Sequence, residues 1–328
     1  MQRRDRCFFS VYHRLQLSAL STRLCIPLCS KCVRPCAFPI YKAPSRQAGS
    51  IEFMGPQGAH EQPKLPIPGV KNIIAVGSGK GGVGKSTVAV NLAITLSKLG
   101  YSVGLMDGDV YGPNLATMLG VRATPHAIGQ RIQPLTGHGV RVMSMAFLNP
   151  GDKPLVWRGP MLNSVIQQFL RNVDWGETDY LIIDLPPGTG DVQLTLIQTT
   201  PLTGAIIVTT PSDVSLEDAR KAVHMFEQVR EEVLGIVENM SYLDHGGERL
   251  YIFGNGGGRR TAEEMNVPFL GEIPIDPAIR EGGDRGNPVM SNEGPHPNSA
   301  VFEKLARAVI ARADEARNKA RPTIEISD

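Results

Sequence analysis

Gly77-Ser78-Gly79-Lys80-Gly81-Gly82-Val83-Gly84-Lys85-Ser86-Thr87 decides the fold of this chain, because residues 79–86 satisfy G-x-x-x-x-G-K-[ST]. Such a loop cradles a polyphosphate: closely spaced backbone N–H groups point inward, and glycines let the main chain wrap without Cβ clashes. The Lys85 ammonium then reaches the β- and γ-phosphates, the Ser86 hydroxyl ligates Mg²⁺, and the next helix adds its N-terminal dipole. Gly79, Lys80, Gly81, Gly82, Val83, Gly84, Lys85, Ser86 and Thr87 are therefore the candidate nucleotide-binding residues. The flanks agree. Asn72–Val76 reads as a buried strand, and Ser86–Leu99, with Val90, Ala93, Ile94 and Ser97 at helical spacing, reads as an amphipathic helix.

Further apolar runs follow. Val103–Asp107 closes on two carboxylates, Asp107 and Asp109, and Tyr180–Asp184 closes on one, ahead of Leu185-Pro186-Pro187-Gly188-Thr189-Gly190-Asp191. Open α/β sheets bind ligands at the carboxyl ends of their strands, so these acids fall on the phosphate side. Asp184 is the candidate to hold Mg²⁺ through water, and Asp107 is placed to contact Lys85 or the Mg²⁺ water shell. An acidic helix cap is the plain alternative for Asp107 and Asp109. Ala205–Thr209 and Leu234–Asn239 add two strands, with a helical pattern over Ser215–Val229 between them. Beyond Pro297, Phe302, Leu305, Ala306, Val309 and Ala313 make an amphipathic closing helix. The expectation is an α/β fold: a mostly parallel sheet with helices on both faces, in a single domain over residues 61–320, with 321–328 frayed.

Composition limits the partners. Hydrophobic residues make up 41% of the 328, enough for a sizeable core, and no apolar run is long enough to span a bilayer. Residues 1–60 hold nine Lys/Arg against two Asp/Glu, a balance of +7, which leaves 25 against 30, or −5, for the rest. A mildly acidic core argues against a specific nucleic-acid surface. All five cysteines, Cys7, Cys25, Cys29, Cys32 and Cys36, lie in the basic leader, and their odd number argues against a secreted disulfide framework. Three readings of that leader stay open: a disordered or non-native extension ahead of Met54, a mitochondrial transit peptide, or a metal-binding arm in which Cys29 and Cys32 are the candidate iron-sulfur ligands. The cytoplasm is the expected compartment, or the mitochondrial matrix if the leader is a transit peptide.

Lys80 inside the loop resembles the deviant Walker A motif of the MinD/ParA/nitrogenase-iron-protein ATPases, over roughly residues 65–315. A solvated loop lysine is the alternative. The resemblance implies a homodimer in which Lys80 reaches the phosphates held by the other subunit, Asp109 orients the attacking water, and Asn239 reads adenine. It also places Pro274-Ile275-Asp276-Pro277 beside the base, with Mg²⁺ and ATP as cofactors. Met106–Pro113, Val156–Met161, Asp184–Asp191, Asn239–Tyr242 and Ile252–Gly257 narrow the likeness to the Mrp/ApbC-type iron-sulfur carrier ATPases. That branch implies slow ATP hydrolysis coupled to delivery of clusters to apoprotein clients. Its C-x-x-C after N-M-S-Y is absent, replaced by Leu243-Asp244-His245-Gly246-Gly247-Glu248, where Asp244 and His245 read as surface-loop residues. A positional or partitioning switch of the ParA/MinD kind is the alternative function, and an ATP-gated scaffold is a third.

Overall fold

The computed structural model describes residues 64–109, 112–148, 159–292, 294 and 296–319, which fall within one compact unit spanning 60–328. Cys29, Cys32, the Val156–Arg158 part of the tryptophan phrase and the C-terminal residues 320–328 lie outside the described residues.

The elements run β1 (Val70–Gly77), α1 (Lys85–Lys98), β2 (Val103–Asp107), α2 (Leu115–Met118), β3 (Ala127–Ile128), β4 (Arg131–Ile132), β5 (Leu135–Gly137) and β6 (Val140–Met143). Next come α3 (Gly159–Arg171), β7 (Thr178–Asp184), α4 (Asp191–Thr199), β8 (Gly204–Thr209), α5 (Asp213–Gln228) and β9 (Val233–Glu238). A small hairpin of β10 (Leu243–His245) and β11 (Glu248–Leu250) precedes α6 (Gly257–Glu264), β12 (Phe269–Glu272), α7 (Pro277–Arg285) and α8 (Ser299–Lys319). Eight strands form one sheet in the order β12-β9-β8-β1-β7-β2-β6-β5, parallel except for β5.

The expected strands are all present, because parallel strands covered on both faces must be apolar throughout, and continuous runs such as Ile73–Val76, Leu181–Ile183 and Ala205–Val208 are nearly solvent-free. Right-handed crossovers send α1 to one face, where α8 packs on it, and α3 to α6 to the other. From β1 the chain moves toward β2, whereas from β7 it returns across β1 to β8. β1 therefore ends at the topological switch point, where this class of sheet opens a crevice.

Two local expectations need correction. α1 is not amphipathic but buried all round from Val88 to Leu96, since α8, α7 and the Val289–Ser291 turn cover the face that its sequence leaves ambiguous. Its polar residues survive burial by pairing with backbone. Asn91 Nδ2 donates to Thr87 O at 2.9 Å, its Oδ1 accepts from Met290 N at 3.3 Å, and Thr95 Oγ1 donates to Asn91 O at 2.6 Å. Ser97, expected on the buried face, lies at its edge and donates to Gly139 O. The strands of the β5–β6 edge, with their one antiparallel pair, were not legible, being only three and four residues long.

α2 and α7 meet where Gly286, at φ 74°, caps α7, and a Cβ there would lie 2.5 Å from Gly120 Cα. Gly286→Ala is expected to lower stability by about 1–3 kcal/mol, from left-handed strain plus a backbone clash that no rotamer relieves. Urea denaturation of the full chain measures it, and an unchanged midpoint would contradict this packing.

Candidate functional site

A cavity of about 1000 Å³ opens at the carboxyl ends of the strands, lined by the Ser78–Thr87 loop, Asp109, Pro187, Asn239 and the Pro274–Pro277 segment. The loop leaves β1 and enters α1 through Gly84, which stands at φ 84° as the helix N-cap. A Cβ at Gly84 would be strained by the positive φ and would push the Asn239 amide, whose Nδ2 lies 2.1 Å from its position, aside. Gly79 is held for another reason than phosphate wrapping: a Cβ would sit 2.0 Å from Asp218 O, so the loop rests on the backbone of α5.

Under the loop the Lys85 ammonium pairs with Asp184 Oδ1 at 2.6 Å, with Lys85 6% and Asp184 1% exposed. Ser86 Oγ lies 3.4 Å from the same ammonium. Asp184 and Asp107 are register partners on adjacent strands, so two buried carboxyls stand side by side. Burial, then the neighbouring Asp184 charge, pushes Asp107 up to about 8, against the opposing pull of Ser144, Lys85 and the Leu115 N–H. Asp107 makes no hydrogen bond to Lys85. Its Oδ2 accepts from Ser144 Oγ at 2.8 Å and from Leu115 N at 3.4 Å, and its Oδ1 accepts from Asp109 N at 3.2 Å. Asp107 thus ties Asp109 and the first residue of α2 to the sheet, although Asn114 and not Asp107 is the N-cap of α2.

Asp109 reaches the cavity at the far end of that tie, with its Oδ1 accepting from Gly112 N at 3.3 Å. Lys80 lines the same cavity half-exposed, and no hydrogen bond or ion pair reaches its ammonium among the described residues. Asn239 follows β9 and donates from Nδ2 to Val83 O at 2.8 Å. Its amide hydrogen bond in this structure goes to the phosphate-binding loop, carried there by a turn in which Met240 adopts φ 56°. The Asp184–Asp191 loop is tied to β1 and to the phosphate-binding loop: Leu185 N donates to Val76 O at 2.9 Å and Gly188 N to Ser78 O at 3.1 Å. Across the cavity, Asp276 caps α7 through Ala278 N at 2.8 Å and accepts from Asn298 Nδ2 at 2.6 Å.

The family model for ParA, described as the NUBPL iron-transfer P-loop NTPase, matches residues 69–310, well over half of the chain. This chain belongs to that family. Within the NUBPL/ParA family it is similar to the iron-sulfur cluster carrier protein of Deinococcus radiodurans, 52% identical over 275 residues that cover 82% of this chain and 76% of that one. It is also similar to the iron-sulfur cluster transfer protein NUBPL of Dictyostelium discoideum, 44% identical over 84% of this chain and 90% of that one. Among solved structures, a nucleotide-binding protein from Archaeoglobus fulgidus in complex with ADP matches with a TM-score of 0.61. It is 39% identical, over 69% of this chain and 90% of that one.

One buried acid that the sequence reading passed over lies beside Asn239, behind this NUBPL/ParA-type site. Glu238, fully buried at the end of β9, accepts from Ser241 Oγ through Oε1 and from Gly258 N through Oε2. It therefore anchors the first turn of α6 beside Asn239. The signal was present as an acid closing an apolar run, in the same form as Asp107 and Asp184.

The hairpin that stands where C-x-x-C was expected pairs Asp244 with Arg249 and His245 with Glu248 in register, and Arg249 stacks 4.0 Å above the Tyr242 ring. No group of three or more His, Cys, Asp or Glu able to hold a metal occurs among the described residues. The described residues do not fit an iron-sulfur cluster.

Removing the Lys85 ammonium leaves Asp184 buried without its partner and next to a second carboxyl. Lys85→Ala is expected to lose about 3 kcal/mol of stability without nucleotide, whereas Lys80→Ala loses less than about 0.5 kcal/mol. Equal losses in urea melts would contradict the assignment of Lys85 as the paired lysine.

Proposed function

We propose that this chain is an ATP-binding and slowly hydrolysing homodimeric carrier or assembly factor that serves iron-sulfur apoproteins. The observation that carries the reading is the buried Lys85–Asp184 pair beneath a glycine loop at the switch point of the sheet. An ammonium and a carboxylate held together in a dry site can exchange partners when a polyphosphate enters: Lys85 turns to the β- and γ-phosphates, and Asp184 is released to face a cation. The donors fit Mg²⁺, which prefers hard oxygen ligands, with the Ser86 hydroxyl and Asp184 as the residues that would hold it. The ion supplies charge neutralisation on the phosphates when bound.

In this reading the protein's own residues mostly position. The loop N–H groups and Lys85 hold the phosphates, Asp109 holds the attacking water in line, and Asn239 with the Pro274–Pro277 segment lines the base end. The half-exposed Lys80 is free to reach the phosphates of a second subunit, which would make ATP binding and dimerisation one event. Turnover without a dedicated base is expected to be slow, timing a conformational cycle.

Cluster handling is supported by the names of the relatives. Thiolates for a cluster could come only from the leader, where Cys29 and Cys32 are the candidate pair; without them the chain would act on clusters indirectly. No described helix is long and apolar enough to cross a membrane. The cytoplasm is the proposed compartment, or the mitochondrial matrix if residues 1–60 serve as a transit peptide. No observation favours a ParA/MinD-like switch on DNA or membrane.

Two experiments test the parts separately. Lys85→Ala is expected to abolish ATP binding by calorimetry, while Lys80→Ala keeps binding within a few-fold but loses dimer-dependent hydrolysis; equal hydrolysis by wild type and Lys80→Ala would sink the dimer reading. Anaerobic reconstitution of the full chain should give a thiolate-bound cluster that disappears in Cys29→Ser/Cys32→Ser. A colourless full-length protein with intact ATPase activity would exclude direct cluster binding.

A further inference from the structure

Gln193 sits in the first turn of α4, the helix that the Asp184–Asp191 loop leads into. It is 1% exposed, and among the described residues neither its Oε1 nor its Nε2 has a hydrogen-bond partner. A primary amide carries two donors and a doubly accepting oxygen, and native interiors almost always pair them. A Cβ built on Gly77 would meet Gln193 Nε2 at 3.3 Å and the apolar Leu185 Cδ1 and Phe226 Cε2 at 3.5 Å each, so the amide ends beside apolar side chains. At the other end of the same helix, the Thr200 hydroxyl is also buried and unpaired. Both ends of α4 thus carry polar groups that this seating leaves unsatisfied.

The place of the amide suggests what satisfies it. Nε2 lies 3.3 Å from where a Cβ on Gly77 would stand, beside the last residue of β1. On either side of Gly77, the strand is joined to the Asp184–Asp191 loop by the Leu185 N to Val76 O and Gly188 N to Ser78 O bonds. Gln193 therefore borders the seam between the phosphate-binding loop and the loop that faces the γ-phosphate. A shift of Pro187 and Gly188 away from Ser78 would open the second of these bonds and free Gly188 N and Ser78 O, one residue from Gly77.

We propose that Gln193 is a positioning residue of the nucleotide cycle: its amide gains backbone partners at the Gly77 seam when the Asp184–Asp191 loop closes on ATP. The seating of α4 is then better satisfied with ATP than without it, and this difference biases the loop toward closure only when a γ-phosphate is present. The inference rests on the ATP-driven reading above and adds to it the group that reports closure to the helix.

Gln193→Met keeps the length of the side chain and removes both polar ends. Melting temperatures of the full chain are measured without nucleotide, with Mg-ADP and with a non-hydrolysable Mg-ATP analogue, alongside steady-state ATP hydrolysis. The variant is expected to melt about 2–4 °C above wild type without nucleotide and with ADP. The extra rise that the ATP analogue gives over ADP should fall to half or less, and kcat should drop about ten-fold with KM within two-fold of wild type. A merely structural amide would move all three melting temperatures together and leave kcat alone. A variant that melts below wild type without nucleotide, fails to fold, or keeps the full analogue-over-ADP rise overturns the proposal while the ATP-driven reading stands. A wild type in which the ATP analogue has no more effect than ADP overturns both.

Discussion

The buried ion pair between Lys85 and Asp184 is the interaction on which the rest of the site depends. Register places Asp184 beside Asp107, and two adjacent carboxyls cannot both stay charged in a dry sheet end without a cation. Lys85 supplies it at 2.6 Å, while Asp107, pushed up to about 8, takes the neutral share and becomes a structural tie. That division of labour leaves Asp184 paired with Lys85 and Asp107 bonded to Asp109 N and Leu115 N. It also explains why a loop built for phosphates is stable as described: its key lysine already has a buried anion.

Around that pair the loops are held by close backbone approaches rather than by long side chains. Gly79 rests on α5 at Asp218, Gly84 faces the Asn239 amide, and Gly286 meets Gly120 between α7 and α2. At Gly79 and Gly286 these are contacts between main chains, which a rotamer change cannot relieve. The single hydrogen bond between loops at Gly188 N to Ser78 O is, by contrast, one that can break alone. Gln193 lies next to that bond with its amide unpaired, which makes α4 the element whose seating is most open to revision.

The two halves of the family's chemistry are unevenly represented in this chain. The nucleotide half is represented in the described residues by the glycine loop and the buried Lys85–Asp184 pair beneath it. The cargo half is not. At the hairpin after Tyr242, soft thiolates give way to a short two-stranded turn with Arg249 over the Tyr242 ring, and every cysteine lies within residues 1–36. Relatives that cover most of this chain are named for carrying clusters, so the difference bears on how this chain takes part and not on which family it belongs to.

Much of the fold was legible because parallel strands covered on both faces must be uniformly apolar, and because each central run ends on a carboxylate or a glycine loop. Sequence alone determined the phosphate-binding loop, five strands of the sheet, the closing helix and the family resemblance. It did not determine the all-round burial of α1, which depends on α7 and α8 arriving from almost 200 residues away. Nor did it determine which acid pairs with Lys85, what Asn239 holds, or that Glu238 anchors α6. Each of those is a question of partner, and partners far apart in sequence are chosen by strand order and register, which only the tertiary structure decides.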